Sequence, residues 1–293
     1  MKIKIVARTD VGKERDNNED AYLFCSDLTR QDWQQTVTPS YIPLGKYGAL
    51  VAVADGMGGA NAGEVASAMA MDAVKDVFQK ASLEDYTTDD KAGDLLRLCV
   101  SNGDQAISER TVFDSETSGM GTTIVICWLL GDTVHVAWCG DSRCYAYHPL
   151  KGLRPLTKDH SYVQELVDKG ELIAEEAYLH PDSNLITRAL GDDSCNNEPD
   201  VISSRLEPGE LLLLCSDGLC GYCPDESIEQ VLRAHYTDAE QCCDQLLSLA
   251  LDAGGYDNIC IAVVSLIGDD QDAPVAISPV RRFWYAVREV LHI

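Results

Sequence analysis

Short unbroken apolar runs punctuate this chain, and several of them end or begin beside an aspartate. Residues 50–54 run into Asp55-Gly56, and 211–215 run into Ser216-Asp217-Gly218. Residues 134–138 are followed by Gly140-Asp141, and Asp257-Asn258 stands just before the run 259–264. Runs of that length and composition predict buried strands. The same reasoning predicts strands at 2–7, 21–24, 122–129, 133–138, 143–147, 201–205, 210–215 and 258–266. Elsewhere the period lengthens: Val65, Ala66, Met69, Ala73, Val74 and Val77 recur at helical spacing. Asn61, with Glu64 three residues on, offers the cap for that helix. Further helices are expected at 91–110, 224–235 and 238–253, the last closed by Gly254-Gly255.

Two stretches break the pattern. Residues 26–47 are polar and Pro-punctuated and read as a long loop, and 160–193 dissolve into short helical pieces and loops. Strands in clusters, with helices inserted as pairs, predict an α+β architecture of packed sheets flanked by helices and argue against a doubly wound βαβ repeat. The domain so defined spans 1–267. An acidic linker follows at 268–277, and Ser278-Pro279 then opens a helix over 278–293. Val280, Phe283, Trp284, Val287 and Leu291 form its apolar stripe, with Arg281, Arg282 and Arg288 elsewhere on the helix. Such a helix could dock on its own acidic domain, on a partner, or on a membrane surface.

Composition narrows the function classes. The 293 residues carry 23 Lys and Arg against 48 Asp and Glu, a net charge of −25. That balance argues against broad nucleic-acid binding, since a phosphate backbone demands a basic face, and against anionic membranes. No apolar run approaches the ~20 residues of an integral membrane segment, and the N-terminus lacks a signal-peptide pattern. Twelve cysteines in a chain of this size, most of them inside apolar segments, read as buried hydrophobes in a reducing compartment, so a cytoplasmic location is expected. Cys220-Gly221-Tyr222-Cys223 could be a redox pair, but it has no second Cys-x-x-Cys and no thioredoxin context.

The aspartates at strand ends carry the chemistry. Several carboxylates aimed at one point repel each other unless cations lie between them. Oxygen-only ligation suits a hard divalent ion, Mg²⁺ or Mn²⁺, and more than one of them. Glycine at position 56 would let backbone approach such an ion with no Cβ in the way.

In chain order the motifs are Asp10-Val11-Gly12 with Arg15 and Asn18-Glu19-Asp20; Asp55-Gly56-Met57-Gly58-Gly59; Gly119-Met120-Gly121-Thr122-Thr123; Gly140-Asp141-Ser142-Arg143; Thr157-Lys158-Asp159-His160; Thr187-Arg188-Ala189-Leu190-Gly191-Asp192; Ser216-Asp217-Gly218-Leu219; and Asp257-Asn258. This series closely resembles the type 2C family of metal-dependent protein phosphatases (the PPM family), bacterial type, over about residues 3–267.

The resemblance implies a β-sandwich of two antiparallel sheets flanked by pairs of helices, with a binuclear Mg²⁺ or Mn²⁺ centre at one end. Asp55 would bridge the metals, the carbonyl of Gly56 would ligate one, and Asp217 and Asp257 would complete the other. Glu19 and Asp20 would hold metal-bound waters, Asp141 would bind a third, weaker metal, and Arg15 would grip the substrate phosphate. Residues 160–193 would form the flap. The implied reaction is hydrolysis of phosphoserine or phosphothreonine in proteins by a metal-bridging hydroxide, opposing a Ser/Thr kinase. A phosphoprotein-binding module that keeps the fold without catalysis is the alternative, and a phosphatase of small phosphometabolites shares the chemistry.

Two departures from the family stand out. Met57 replaces the histidine that animal-type members carry as a proposed general acid, and Gly221 replaces an aspartate that helps with the third metal. Arg143 and Arg188 read as structural ion-pair formers, His160 as a packing or flap hydrogen-bonding residue, and Thr122 and Thr123 as plain strand residues.

Overall fold

The unbroken apolar runs have a simple cause: most of the long strands bury both faces, so side chains pointing either way must be apolar. The computed structural model describes residues 1–34, 37, 38, 40–58, 62–114, 117–177, 180–192, 195–271, 273, 274 and 276. The strands in chain order are β1 (Lys2–Asp10), β2 (Asp20–Cys25), β3 (Trp33–Gln34), β4 (Ile42–Pro43), β5 (Ala49–Met57), β6 (Gly121–Thr122), β7 (Ile124–Leu130), β8 (Thr133–Cys139), β9 (Arg143–His148), β10 (Gly152–Pro155), β11 (Asp200–Arg205), β12 (Leu211–Cys215) and β13 (Ile259–Ile267). The helices are α1 (Gly63–Lys80), α2 (Asp89–Phe113), α3 (Tyr162–Asp168), α4 (Ala174–Ala177), α5 (Asp217–Cys220), α6 (Asp225–His235) and α7 (Ala239–Asp252).

One sheet runs β10-β9-β12-β13-β1-β4 and the other β11-β8-β7-β5-β2-β3, with β6 attached to β5. All the pairings are antiparallel. The core divides into three slabs. Between the sheets, Val51, Val53, Val125, Cys127, Leu212, Leu214, Ala262 and Val264 interdigitate. The alternate residues of β5 and β7, including Leu50, Ala52, Ile126 and Trp128, face α1 and α2. Those of β12 and β13, including Leu213, Ile261 and Val263, face Ile228 and Leu232 of α6 and Leu246 of α7. This is the expected sandwich with a helix pair on each side.

Several sequence-based expectations shift. The long loop at 26–47 contains two short edge strands, β3 and β4, and β10 was not anticipated; each is too short to show a period. The buried stripe of α1 is Ala66, Ala70, Met71, Val74, Val77 and Phe78, while Val65 and Met69 are only partly buried. The helix therefore turns about one residue from the expected face. Its N-cap position is Ala62, without a side-chain cap bond; Asn61 and the helix expected at 278–293 lie outside the described residues. No described helix is long and apolar enough to cross a membrane.

Register delivers the aspartates to one margin. Asp20 opens β2 opposite Asp55 of β5. β12 ends two residues before Asp217 and pairs with β13, which starts two residues after Asp257. The two sheets are stitched at that end by the Ser216 hydroxyl, which donates to Asp20 at 2.7 Å, and by the Glu19 N–H, which donates to the Asn258 side-chain oxygen at 2.7 Å.

Trp128 locks the sheet to its helices. It is fully buried, donates from Nε1 to the Tyr47 carbonyl at 2.9 Å, and meets Phe78 of α1 edge-on at 5.1 Å. Trp128→Ala should therefore lower the unfolding free energy by about 3–5 kcal/mol, read from urea denaturation; a shift below about 1 kcal/mol would contradict this packing.

Candidate metal centre

Asp20, Asp55, Asp217, Asp141 and Asp257 come together at the sandwich margin. The carboxyl of Asp55 lies close to those of Asp20 and Asp217, near enough for each charge to act on the next. Burial pushes Asp55 well above the usual carboxylate range, and the charge of Asp20 adds to it. Burial raises Asp217 in the same way, reinforced by Asp55. Asp20 is raised by burial, against the opposing hydrogen bond from Ser216. Asp141 is raised by burial and then by Asp217. Carboxyls this close share protons or require cations.

The backbone beneath them is fixed by neutral side chains. Thr123 accepts from the Asp55 N–H at 3.1 Å, and Thr122 donates to the Asp55 carbonyl at 2.8 Å. These threonines thus have a positioning task beyond the strand role expected of them. Ser216 accepts from the Cys260 N–H at 2.9 Å while donating to Asp20. Asn258 is the residue the motif reading left without a task. Its amide donates to the Val11 and Asn17 carbonyls, at 3.0 and 2.8 Å, and so holds the loop that carries Arg15. Its place beside Asp257 was legible, but its partners lie some 240 residues away in sequence.

Glycine is required at 56, where a Cβ would lie 2.1 Å from the Gly63 carbonyl oxygen and 2.6 Å from that of Glu19. Glu19 presents its carboxylate to the Gly63 N–H at the start of α1; burial raises its pKa, and nearby Glu64 adds to the effect. Gly221 is constrained too: a Cβ there would stand 2.7 Å from the Asp217 carbonyl oxygen. An aspartate at 221 would therefore require this turn to move.

Arg15 was expected to grip phosphate. Its guanidinium donates to Asp257 Oδ2 at 2.7 Å, and its side chain is 53% exposed. Arg143 chelates Asp159 through two bonds of 2.7 and 2.6 Å, and Arg188 donates to Asp200 at 2.9 Å, both as structural partners. His160 accepts from the Gly140 N–H at 3.2 Å and stacks on Trp138 at 5.8 Å, tying the base of the 160–193 segment to the Asp141 turn. Cys220 lies against Cys215 and does not pair with Cys223. Its thiol is raised first by that contact and then by burial, and burial pushes Cys223 up to about 11. All twelve cysteines are free, and protonated buried thiols are poor redox nucleophiles.

A divalent cation fits this donor set. Oδ1 of Asp20 and Oδ1 of Asp217 are buried and have no hydrogen-bond partner among the described residues, an arrangement that is expensive unless something binds them. Every donor is a carboxylate or carbonyl oxygen, which selects hard ions. Among the described residues no group of three or more His, Cys, Asp or Glu already stands at coordination spacing. The fit therefore rests on the orphaned oxygens and the donor chemistry.

Comparison with known proteins places the whole domain in a family. The protein phosphatase 2C family profile matches residues 43–259. The serine/threonine protein phosphatase PstP of Mycobacterium tuberculosis is 34% identical over 271 residues, covering 92% of this chain. The chain spans 46% of that relative's length, about half. The serine/threonine phosphatase stp of Listeria monocytogenes is 34% identical over 257 residues, covering 88% of this chain and 93% of its own. The crystal structure of the PstP catalytic domain in complex with two manganese ions superposes with a TM-score of 0.70 at 31% identity, covering 91% of this chain and 99% of that one. The motif series, the four-layer sandwich and these matches agree: the chain belongs to the protein phosphatase 2C family.

Proposed function

We propose that this chain is a Mg²⁺- or Mn²⁺-dependent phosphatase of phosphoserine and phosphothreonine in proteins, opposing a Ser/Thr kinase. One observation carries the reading: five mutually repelling aspartates adjoin one another beside the half-exposed guanidinium of Arg15. Asp55, Asp217, Asp257, Asp20 and the Gly56 carbonyl would hold two cations, with Asp141 at a third position. Such cations, when bound, make water nucleophilic at neutral pH and stabilise charge developing on phosphorus.

The chain's own residues do the rest. Arg15 offers a planar fork to two phosphoryl oxygens, and its bond to Asp257 holds it at the edge of the cluster. Glu19, kept near Gly63, orients water in the cleft. Water oxygen attacks phosphorus as the bond to the serine or threonine oxygen breaks, with no covalent enzyme intermediate. Met57 has no proton to give, so solvent water protonates the leaving oxygen. Residues 1–267 would form the catalytic unit with 160–193 as its flap, and the free cysteines suit a cytoplasmic setting.

Three outcomes test this. Hydrolysis of p-nitrophenyl phosphate and of a phosphothreonine peptide should require added Mn²⁺. Asp217→Asn should lower kcat at least about 100-fold, since even residues supporting a metal ligand are worth 10–100-fold; wild-type-like turnover would reject the assignment. Arg15→Ala should lower kcat/KM by about 10- to 100-fold, the worth of lost charge-assisted bonds, with Arg15→Lys recovering part of it.

A further outcome concerns pH. The folded-state pKa values of Asp20, Asp55, Asp141 and Asp217 are raised above the ordinary value. The folded chelated protein therefore holds protons that the unfolded chain releases, and its stability falls as pH rises above about 4. Melting temperature measured in chelator should drop between about pH 5 and 7.5. Mn²⁺ should reverse the drop, and Asp55→Asn should flatten it.

A further inference from the structure

Two tyrosines stand at the rim of the carboxylate cluster, and hydrolysis uses neither. Tyr222 is 41% and Tyr256 54% exposed, among the large hydrophobic side chains open to solvent in the described residues. Their rings face each other at 5.5 Å between centroids with a 42° tilt. Both are placed by residues of the site itself. Tyr222 follows the turn in which the Gly221 N–H donates to the Asp217 carbonyl at 2.6 Å, and its own N–H donates to Leu219 at 3.3 Å. Tyr256 immediately precedes Asp257.

The orientation of the pair is built into the backbone. Gly254 has φ +134°, and a Cβ there would fall 2.1 Å from Cε2 of Tyr256. The ring lies flat against that glycine, and any side chain at 254 would evict it. Tyr256 adjoins Asp257, which accepts from the Arg15 guanidinium at 2.7 Å, and Tyr222 follows the turn that closes on Asp217, so the ring pair stands beside Arg15 at the edge of the cluster. The Lys13 stem passes 3.1 Å from the Cβ position of Gly255, on the same loop.

We propose that Tyr222 and Tyr256 form an aromatic platform that binds an aromatic side chain flanking the phosphorylated residue of the substrate. This inference deepens the phosphatase reading and rests on it. Consecutive residues lie about 3.8 Å apart, so the neighbour of a phosphothreonine held at Arg15 comes within a side chain's length of these rings. Aromatic rings gain from offset or edge contacts beyond their buried area. Tyrosine gives such contacts at small entropic cost.

The test compares three phosphothreonine peptides of equal length, carrying Gly, Phe or Arg on both sides of the phosphothreonine, with the full chain in Mn²⁺. Wild type should prefer the Phe-flanked peptide over the Gly-flanked one by about 5- to 10-fold in kcat/KM, chiefly through KM. Because the readout is a ratio between peptides, any change in shared chemistry cancels. Tyr222→Ala and Tyr256→Ala should each cut the preference to about 2-fold and the double variant should abolish it, while Tyr222→Phe should keep it. A wild type that favours the Arg- or Gly-flanked peptide, or a preference surviving in the double variant, overturns the platform. If wild type turns over none of the peptides, the phosphatase reading falls. Fluorescence anisotropy with the same peptides then decides the platform separately, with equal affinity for Phe and Gly flanks refuting it.

Discussion

Repulsion among buried carboxylates is the constraint that organises this molecule. The charges of Asp20, Asp55, Asp217, Asp141 and Asp257 act on one another, and burial removes the water that would screen them. Such a cluster persists only where the surrounding scaffold cannot relax. The scaffold here is a sandwich whose central strands are apolar on both faces. Sliding any of them by one residue would exchange the contents of two core slabs. The strands therefore stay in register, and the aspartates at their ends stay aimed.

Neutral groups complete the restraint. Ser216, Thr122, Thr123 and Asn258 add no charge to the cluster, yet each pins backbone or carboxyl to a neighbouring element. A basic residue in any of these places would neutralise the cluster and weaken its claim on a cation. Arg15 enters from the exposed side and pairs with Asp257 at the cluster's edge. The two orphaned oxygens of Asp20 and Asp217 remain inside.

The rim is arranged differently from the interior. His160 and Trp138 stack to fasten the start of the 160–193 segment to the Asp141 turn. On the other side Gly254 makes room for the Tyr256 ring, and Gly221 leads directly into Tyr222. The carboxylate cluster is thus held at, or within two residues of, rigid strand ends. The tyrosines and the flap base sit on or beside turns, where a changed side chain does not disturb the core.

Along the chain, the main strands and the aspartates beside them were readable because a doubly buried strand demands a continuous apolar run, and that demand is local. The family motifs were readable for the same reason, since each sits within a few residues of a strand end or turn. Edge strands β3, β4 and β10 were not, being shorter than any period, and the buried face of α1 was set by the sheet it meets, not by its own spacing. Only tertiary structure could decide that Arg15 pairs with Asp257, that Cys220 lies against Cys215, and that Asn258 clamps the loop before Glu19. It alone set Tyr222 beside Tyr256, because two residues distant in sequence become neighbours only when two elements pack, and no local pattern records which ones will.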